Sequence, residues 1–211
     1  MQAKENHIQF QKTGRYYTWG DPLKAQHLLI AIHGYGQLAP YFIRKFNQLD
    51  PEKYFVVCPE GPHRFYLSGS AGRVGASWMT KEDRLNDIDD YIAFLNTLSR
   101  AILNENDFTT KTLLGFSQGG ATASRWIAYG DCTFDQFLLW AAVFPPDMNP
   151  EAFVKFKSVK NHFIIGTEDE YTPLEKAKAY HAALNKFGMN FDFVKFEGKH
   201  VIDSALLQQL I

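Results

Sequence analysis

The strongest constraint on this chain is an alternation, in which short apolar runs of strand character are separated one after another by segments of helical periodicity. That alternation predicts an α/β domain with a mostly parallel central sheet flanked by helices, because parallel neighbours need a crossover and a helix usually supplies it. Residues 27–32, 54–58, 111–114, 137–144, 161–165 and 191–196 read as strands, and 7–11 with 15–19 as a hairpin around Gly14. Helical patterns cover 41–49, 83–104, 120–129, 173–187 and a short final stretch at 203–210. In the second of these, Leu85, Ile88, Ile92, Leu95 and Leu98 recur at mostly three- and four-residue spacing behind an acidic first turn. The glycine- and serine-rich segment 60–79 reads as a loop on the active-site side. With 211 residues, 45% of them hydrophobic, the expectation is one well-cored domain over 1–211, with no repeat, linker or inserted cap.

Three of the turns that follow strands carry residues suited to one chemistry. Gly115-Phe116-Ser117-Gln118-Gly119 puts a serine between glycines where a strand gives way to a helix. Such a turn is tight, lifts the hydroxyl clear of the backbone and leaves it at a helix N-terminus, where unpaired N–H groups favour developing negative charge. Asp169 follows a later strand and His200 the last one. A serine hydroxyl is a weak nucleophile at neutral pH, so a histidine must take its proton and return it to the leaving group, and a carboxylate must hold the imidazole in the right tautomer. Ser117, His200 and Asp169 fit those roles in that chain order; Glu168 and Glu170 flank Asp169 and leave the choice of carboxylate open. After the first buried strand, His33-Gly34-Tyr35-Gly36 offers a turn whose Tyr35 N–H, with that of Gln118, would form an oxyanion hole. His33 itself reads as a structural residue bonded to nearby backbone. Phe42, Phe65, Tyr66, Trp78 and Met79 are candidates to line an acyl pocket.

Charge and composition exclude other classes. Twenty-two basic against 23 acidic residues give a net charge of −1, which offers no electrostatic footprint for nucleic acid and no polybasic membrane anchor. The first ten residues have no apolar signal core, no run is long enough to span a bilayer, and the two cysteines, Cys58 and Cys132, imply no disulfide framework. A soluble, cytoplasmic protein with a small-molecule partner and no stable membrane association is expected. Histidines 7, 27, 63, 162 and 181 lack metal-ligand spacing, Asp87, Asp89 and Asp90 read as solvated helix-dipole partners, and no phosphate-cradling or dinucleotide motif stands in context. Neither a metal nor a cofactor is expected.

These motifs, with Cys58-Pro59, Ser77-Trp78, Gly120, the stretch 166–173 and Gly198-Lys199-His200, resemble the α/β-hydrolase superfamily over nearly the whole chain. Within it the chain resembles the small phospholipase/carboxylesterase family of bacterial carboxylesterases and acyl-protein thioesterases. The resemblance implies a serine esterase without cofactor, with Ser117, Asp169 and His200 as triad and Tyr35 and Gln118 as oxyanion donors, acting on small acyl esters through an acyl-enzyme. Thioesters, lysophospholipids and lactones are the alternative substrates of the same fold, and a non-catalytic acyl-binding protein is the alternative class. Two departures stand out: Gln37 where the family often carries aspartate, and a segment 65–75 unlike the acyl-channel loop of protein thioesterases.

Overall fold

The computed structural model describes residues 2–211. Its elements in chain order are β1 (Tyr16–Trp19), β2 (His27–Ile32), α1 (Ala39–Phe42) running into a 3-10 turn (Ile43–Phe46), β3 (Tyr54–Pro59), β4 (His63–Tyr66) and β5 (Val74–Ser77). They continue with α2 (Arg84–Glu105), β6 (Thr110–Phe116), α3 (Gln118–Tyr129), β7 (Gln136–Trp140), a 3-10 segment (Pro150–Ser158), β8 (Lys160–Gly166), α4 (Leu174–Lys186), β9 (Phe191–Phe196) and α5 (Ser204–Leu210).

Seven strands form one sheet in the order β1-β3-β2-β6-β7-β8-β9, parallel throughout except for the antiparallel edge strand β1. The central strands β2, β3, β6, β7 and β8 are buried along almost their whole length, which is why they appear in sequence as continuous apolar runs rather than as alternating ones. Helix α3 packs on β6, β2 and β7, α2 packs against α3, and α4 covers β8 and β9. The stripe that α2 buries is Ile88, Tyr91, Ile92, Leu95, Leu98 and Ile102; Leu85, which the spacing assigns to it, lies outside and is exposed. Among the described residues no separate cap domain interrupts this architecture.

The topology positions the site. From β2 the chain moves outward to β3, then returns to lay β6 on the other side of β2, so the loops after β2 and β6 part company between two adjacent parallel strands. That is the switch point where open α/β sheets bind ligands. Register sharpens it: Ile32 lies opposite Gly115 and Phe116 opposite Trp140, so the chain leaves β2, β6 and β7 at nearly one level. Gly166 likewise lies opposite Phe196, which lets the loops after β8 and β9 run side by side.

Three expectations are corrected. Residues 7–11 form no strand; they are exposed, and β1 pairs with β3 instead of with them. The segment 60–79 is not a plain loop, because β4 and β5 pair as an antiparallel hairpin whose Ala76 bridges to Gln37. The strand expected over 137–144 stops at Trp140, where Ala141 turns to φ 48° and the apolar run continues as a loop, buried except at Val143.

Candidate active site

Ser117 sits at the turn between β6 and α3 with φ 54° and ψ −122°, a conformation costly for any residue with a Cβ, on the order of 1–3 kcal/mol. The turn is held by its ends: Ser117 N–H donates to the Trp140 carbonyl at 3.0 Å, and the Ser117 carbonyl accepts from Gly120 N–H at 2.9 Å. A serine at a helix N-cap ordinarily spends its hydroxyl on capping. This one makes no capping bond, which leaves the hydroxyl facing the site.

The neighbouring glycine is a requirement of packing. A Cβ on Gly119 would run into the Ile32 carbonyl oxygen and stand 2.6 Å from that of His33, because the first turn of α3 presses against the end of β2. Gly119→Ala is therefore expected to cost about 2–3 kcal/mol, lowering Tm by roughly 5–10 °C, and to reduce activity with it. Thermal denaturation checks this; a variant melting with the wild type would mean that β2 and α3 separate easily.

Asp169 and His200 are brought together by the paired loops beyond β8 and β9. Thr167 N–H donates to the Phe196 carbonyl at 2.9 Å and Glu168 N–H to that of Gly198 at 2.8 Å. His200 Nδ1 then lies 2.8 Å from Asp169 Oδ2, while Asp169 Oδ1 accepts the N–H groups of Tyr171 and Thr172, each at 2.9 Å. The Asp169 side chain is fully buried, whereas Glu168 and Glu170 are exposed, so of the three acids only Asp169 meets the imidazole. His200 packs against the rings of Phe116 and Tyr171, with centroids 4.9 and 4.6 Å away.

Ser117 and His200 share one cleft of about 320 Å³, lined also by Gln118, Ala121, Ala141, Ala142, Val143, Tyr171 and Thr172. No hydrogen bond joins their side chains among the described residues; unliganded hydrolase sites often hold this contact long. A second cavity, about 280 Å³, opens at the opposite edge of the sheet among the first residues of the strands, where His27 is tied to Thr110 Oγ1 at 2.6 Å. Ser117 and His200 line only the first.

The oxyanion candidates are positioned by backbone geometry. Among the described residues, neither the Tyr35 nor the Gln118 N–H donates to a protein acceptor. The Gly34 carbonyl bonds His33 Nδ1 at 2.8 Å and Gln37 N–H at 3.2 Å. It belongs to the same trans peptide as Tyr35 N–H, so anchoring the carbonyl on His33 points that N–H the opposite way. His33 Nε2 accepts from Gly61 N–H at 2.9 Å, which fixes the Nδ1–H tautomer and confirms its structural part. Glu60, buried and gripped by Arg15 at 2.6 and 2.9 Å, backs this corner by accepting Ala39 N–H at 3.2 Å. On the other donor, the Gln118 side chain is committed to the segment after β5, bonding Ser77, Trp78 N–H and the Met79 carbonyl.

Burial pushes the His33 pKa from 6.5 down to about 4, outweighing the opposing pull of the Gly34 carbonyl. An unfolded chain takes up this proton near 6.5 and the native one only near 4, so between those values the unfolded state binds more protons and stability falls as pH falls. The loss amounts to about 3 kcal/mol across that window. Denaturant titrations at pH 7 and 4 are expected to show a smaller loss in His33→Gln than in the wild type, by roughly that amount; equal losses would remove His33 as the cause.

The remaining sequence candidates fall elsewhere. Phe42 and Trp78, expected against substrate, are core residues: Phe42 packs on His33, Phe46 and Phe116, Trp78 donates Nε1–H to the His33 carbonyl, and neither lines the cleft. Met79 is half-buried with its sulfur 3.6 Å from Arg125 Nη1. Phe65 stacks beside Tyr35 on the hairpin at 5.2 Å, and Tyr66 next to it is exposed. His7 lies 3.3 Å from both Glu5 and Asp83, all three exposed, as in a solvated surface charge cluster. Asp87 is engaged, pairing with His63 at 2.9 Å and accepting Thr80 N–H. The lining that sequence reading misses, Ala121, Ala141 to Val143 and Thr172, follows strand ends or the elbow; the exit of β7 is the available signal, hidden by the apolar run.

A family model described as Serine hydrolase (FSH1) matches residues 23–208. No curated protein matches the chain. Among solved structures the chain is similar to acyl-protein thioesterase 2 of Zea mays, with a TM-score of 0.71 and 18% identity over 94% of this chain and 96% of that one. It is similar to SOBER1 of Arabidopsis thaliana at 0.65 and 17%, over 88% and 95%, and to the Bacillus cereus carboxylesterase at 0.62 and 12%, over 93% and 91%. At these identities the likeness is one of fold.

Proposed function

The chain belongs to the serine hydrolase (FSH1) family, of α/β-hydrolase fold, and from that premise we propose that it cleaves carboxylic esters of small acyl substrates through an acyl-enzyme on Ser117. The carrying observation is a strained serine with an uncommitted hydroxyl in one cleft with a histidine that a buried aspartate grips at 2.8 Å. In this reading Ser117 Oγ attacks the substrate carbonyl while His200 Nε2 takes its proton. The C=O electron pair moves onto oxygen, which accepts from the N–H groups of Tyr35 and Gln118. Collapse breaks the bond to the leaving group, which receives the proton from Nε2, and water then repeats the sequence to release the acid. Asp169 keeps Nδ1 protonated throughout and stabilises the imidazolium.

The cleft walls of Ala121, Ala141, Ala142 and Val143 carry no charge, which supports an uncharged acyl or alkyl group beside Ser117. The 211 residues act in this reading as one domain, and the free thiols Cys58 and Cys132 support a reducing, cytoplasmic setting. The test is a chain-length series of p-nitrophenyl esters run beside matching acyl-thioesters and a lactone, with a fluorophosphonate probe. Ester turnover together with labelling of Ser117 is expected. Thioester or lactone turnover in its place would change the substrate class, and binding without turnover of any of them would leave an acyl-binding protein.

A further inference from the structure

Tyr171 stands out because its placement has no ordinary explanation. The residue is 71% exposed, so core packing does not hold it, yet its ring centroid lies 4.6 Å from that of His200, at an interplanar angle of 59°. Its backbone explains how it is held there: Tyr171 N–H and Thr172 N–H both donate to Asp169 Oδ1, so the turn that orients the carboxylate also swings the ring over the imidazole. Phe116, almost wholly buried, also stands 4.9 Å from the imidazole. Resting on the Ser117 reading above, we propose that Tyr171 is a positioning residue that acts through His200, its ring stabilising the imidazolium formed when the Ser117 proton is taken.

A cation over the face of an aromatic ring, within about 6 Å of its centroid, is attracted by the ring quadrupole, and the attraction grows where water is kept away. His200 is only 14% exposed, and Tyr171 forms part of the wall of its cleft. The charged groups around it are few. Asp169, from the loop after β8, is its one ion-pair partner among the described residues; Glu168 and Glu170 in that loop and Lys199 beside it in its own are exposed. From β6 it meets the uncharged Phe116, and Ser117 shares its cleft. The Tyr171 hydroxyl has no hydrogen-bond partner among the described residues, so the ring and not the phenol oxygen carries the effect.

The experiment compares wild type, Tyr171→Phe and Tyr171→Leu by kcat/KM against pH on p-nitrophenyl acetate, and by NMR titration of the His200 ring, assigned from the resonance lost in His200→Gln. Tyr171→Phe is expected to match the wild type. Tyr171→Leu, which keeps the bulk and removes the quadrupole, is expected to lose about two- to fivefold in kcat/KM at neutral pH, carried by kcat. At the same time its acid limb and the His200 NMR midpoint should move to lower pH by about half a pH unit. Loosening of the loop would also free Asp169 from His200, so the low-field Nδ1 proton resonance of that pair is followed in the same spectra; it is expected unchanged in Tyr171→Leu, and its loss overturns the proposal. A midpoint that stays in place or moves upward in Tyr171→Leu overturns the proposal, as does an equal loss in Tyr171→Phe. The NMR arm needs no turnover, so a wild type that hydrolyses no ester counts against the Ser117 reading while the effect of Tyr171 on the imidazole is still measured.

Discussion

Ser117→Ala is expected to lower kcat for ester hydrolysis on the order of 10⁴–10⁶-fold while leaving substrate affinity within a few-fold and abolishing labelling by a fluorophosphonate. The size follows from what is removed. In the proposed reaction no acyl-enzyme forms without Oγ, and the free N–H groups of Tyr35 and Gln118 could assist only a direct attack by water. The substitution keeps the Cβ and therefore keeps the strain at φ 54°. A companion variant separates the two effects: Ser117→Gly is equally inactive but is expected to melt above Ser117→Ala, because glycine alone relaxes in that conformation. Burst kinetics and melting curves on the three proteins check both statements. Substantial ester turnover by folded Ser117→Ala would end the proposal that this serine is the nucleophile.

The second large effect is at Asp169, where the change Asp169→Asn is expected to cost about 10⁴ in kcat. The hydrogen bonds say why a nearly isosteric change should do so much. Oδ1 accepts two backbone N–H groups, from Tyr171 and Thr172, and only a carbonyl oxygen can stay there. The amide nitrogen that Asp169→Asn introduces must then occupy the Oδ2 position and donate to His200 Nδ1. That forces the ring proton onto Nε2, the atom that has to accept the serine proton, so the base arrives already loaded. Glu168→Gln and Glu170→Gln, at exposed positions, are expected to stay within a few-fold of wild type. Full activity in Asp169→Asn would transfer the role to one of those glutamates.

Much of this arrangement is legible in sequence, for a physical reason. Strands buried on both sides must be apolar throughout, so β2, β3, β6 and β8 announce themselves as runs, and the turns after them are where a parallel sheet exposes its chemistry. Ser117, His200, the acidic turn at 168–170 and the turn at Gly34 are located at strand ends by that rule alone. The choice among Glu168, Asp169 and Glu170 is not, because adjacent loop residues look alike until the pairing of two loops decides which one faces inward. The hairpin β4–β5 is hidden by its short strands, of which β4 is half-exposed, and by the glycines of 69–75, yet it pins the segment 36–37 from one side and Gln118 from the other. Ala141 is hidden for the opposite reason: an apolar stretch from 137 to 144 reads as one strand, and nothing in it marks the residue at which the backbone reverses.

The close seat of Gly119 against the carbonyls of β2 also says where a laboratory could change what this protein accepts. Residues that crowd the elbow have no room to vary, so libraries built there would return mostly unfolded chains. Ala121 and Val143, in the wall of the same cleft, are small side chains that are partly exposed there. Selection for new substrate scope should therefore collect its changes on that wall and leave the serine turn untouched.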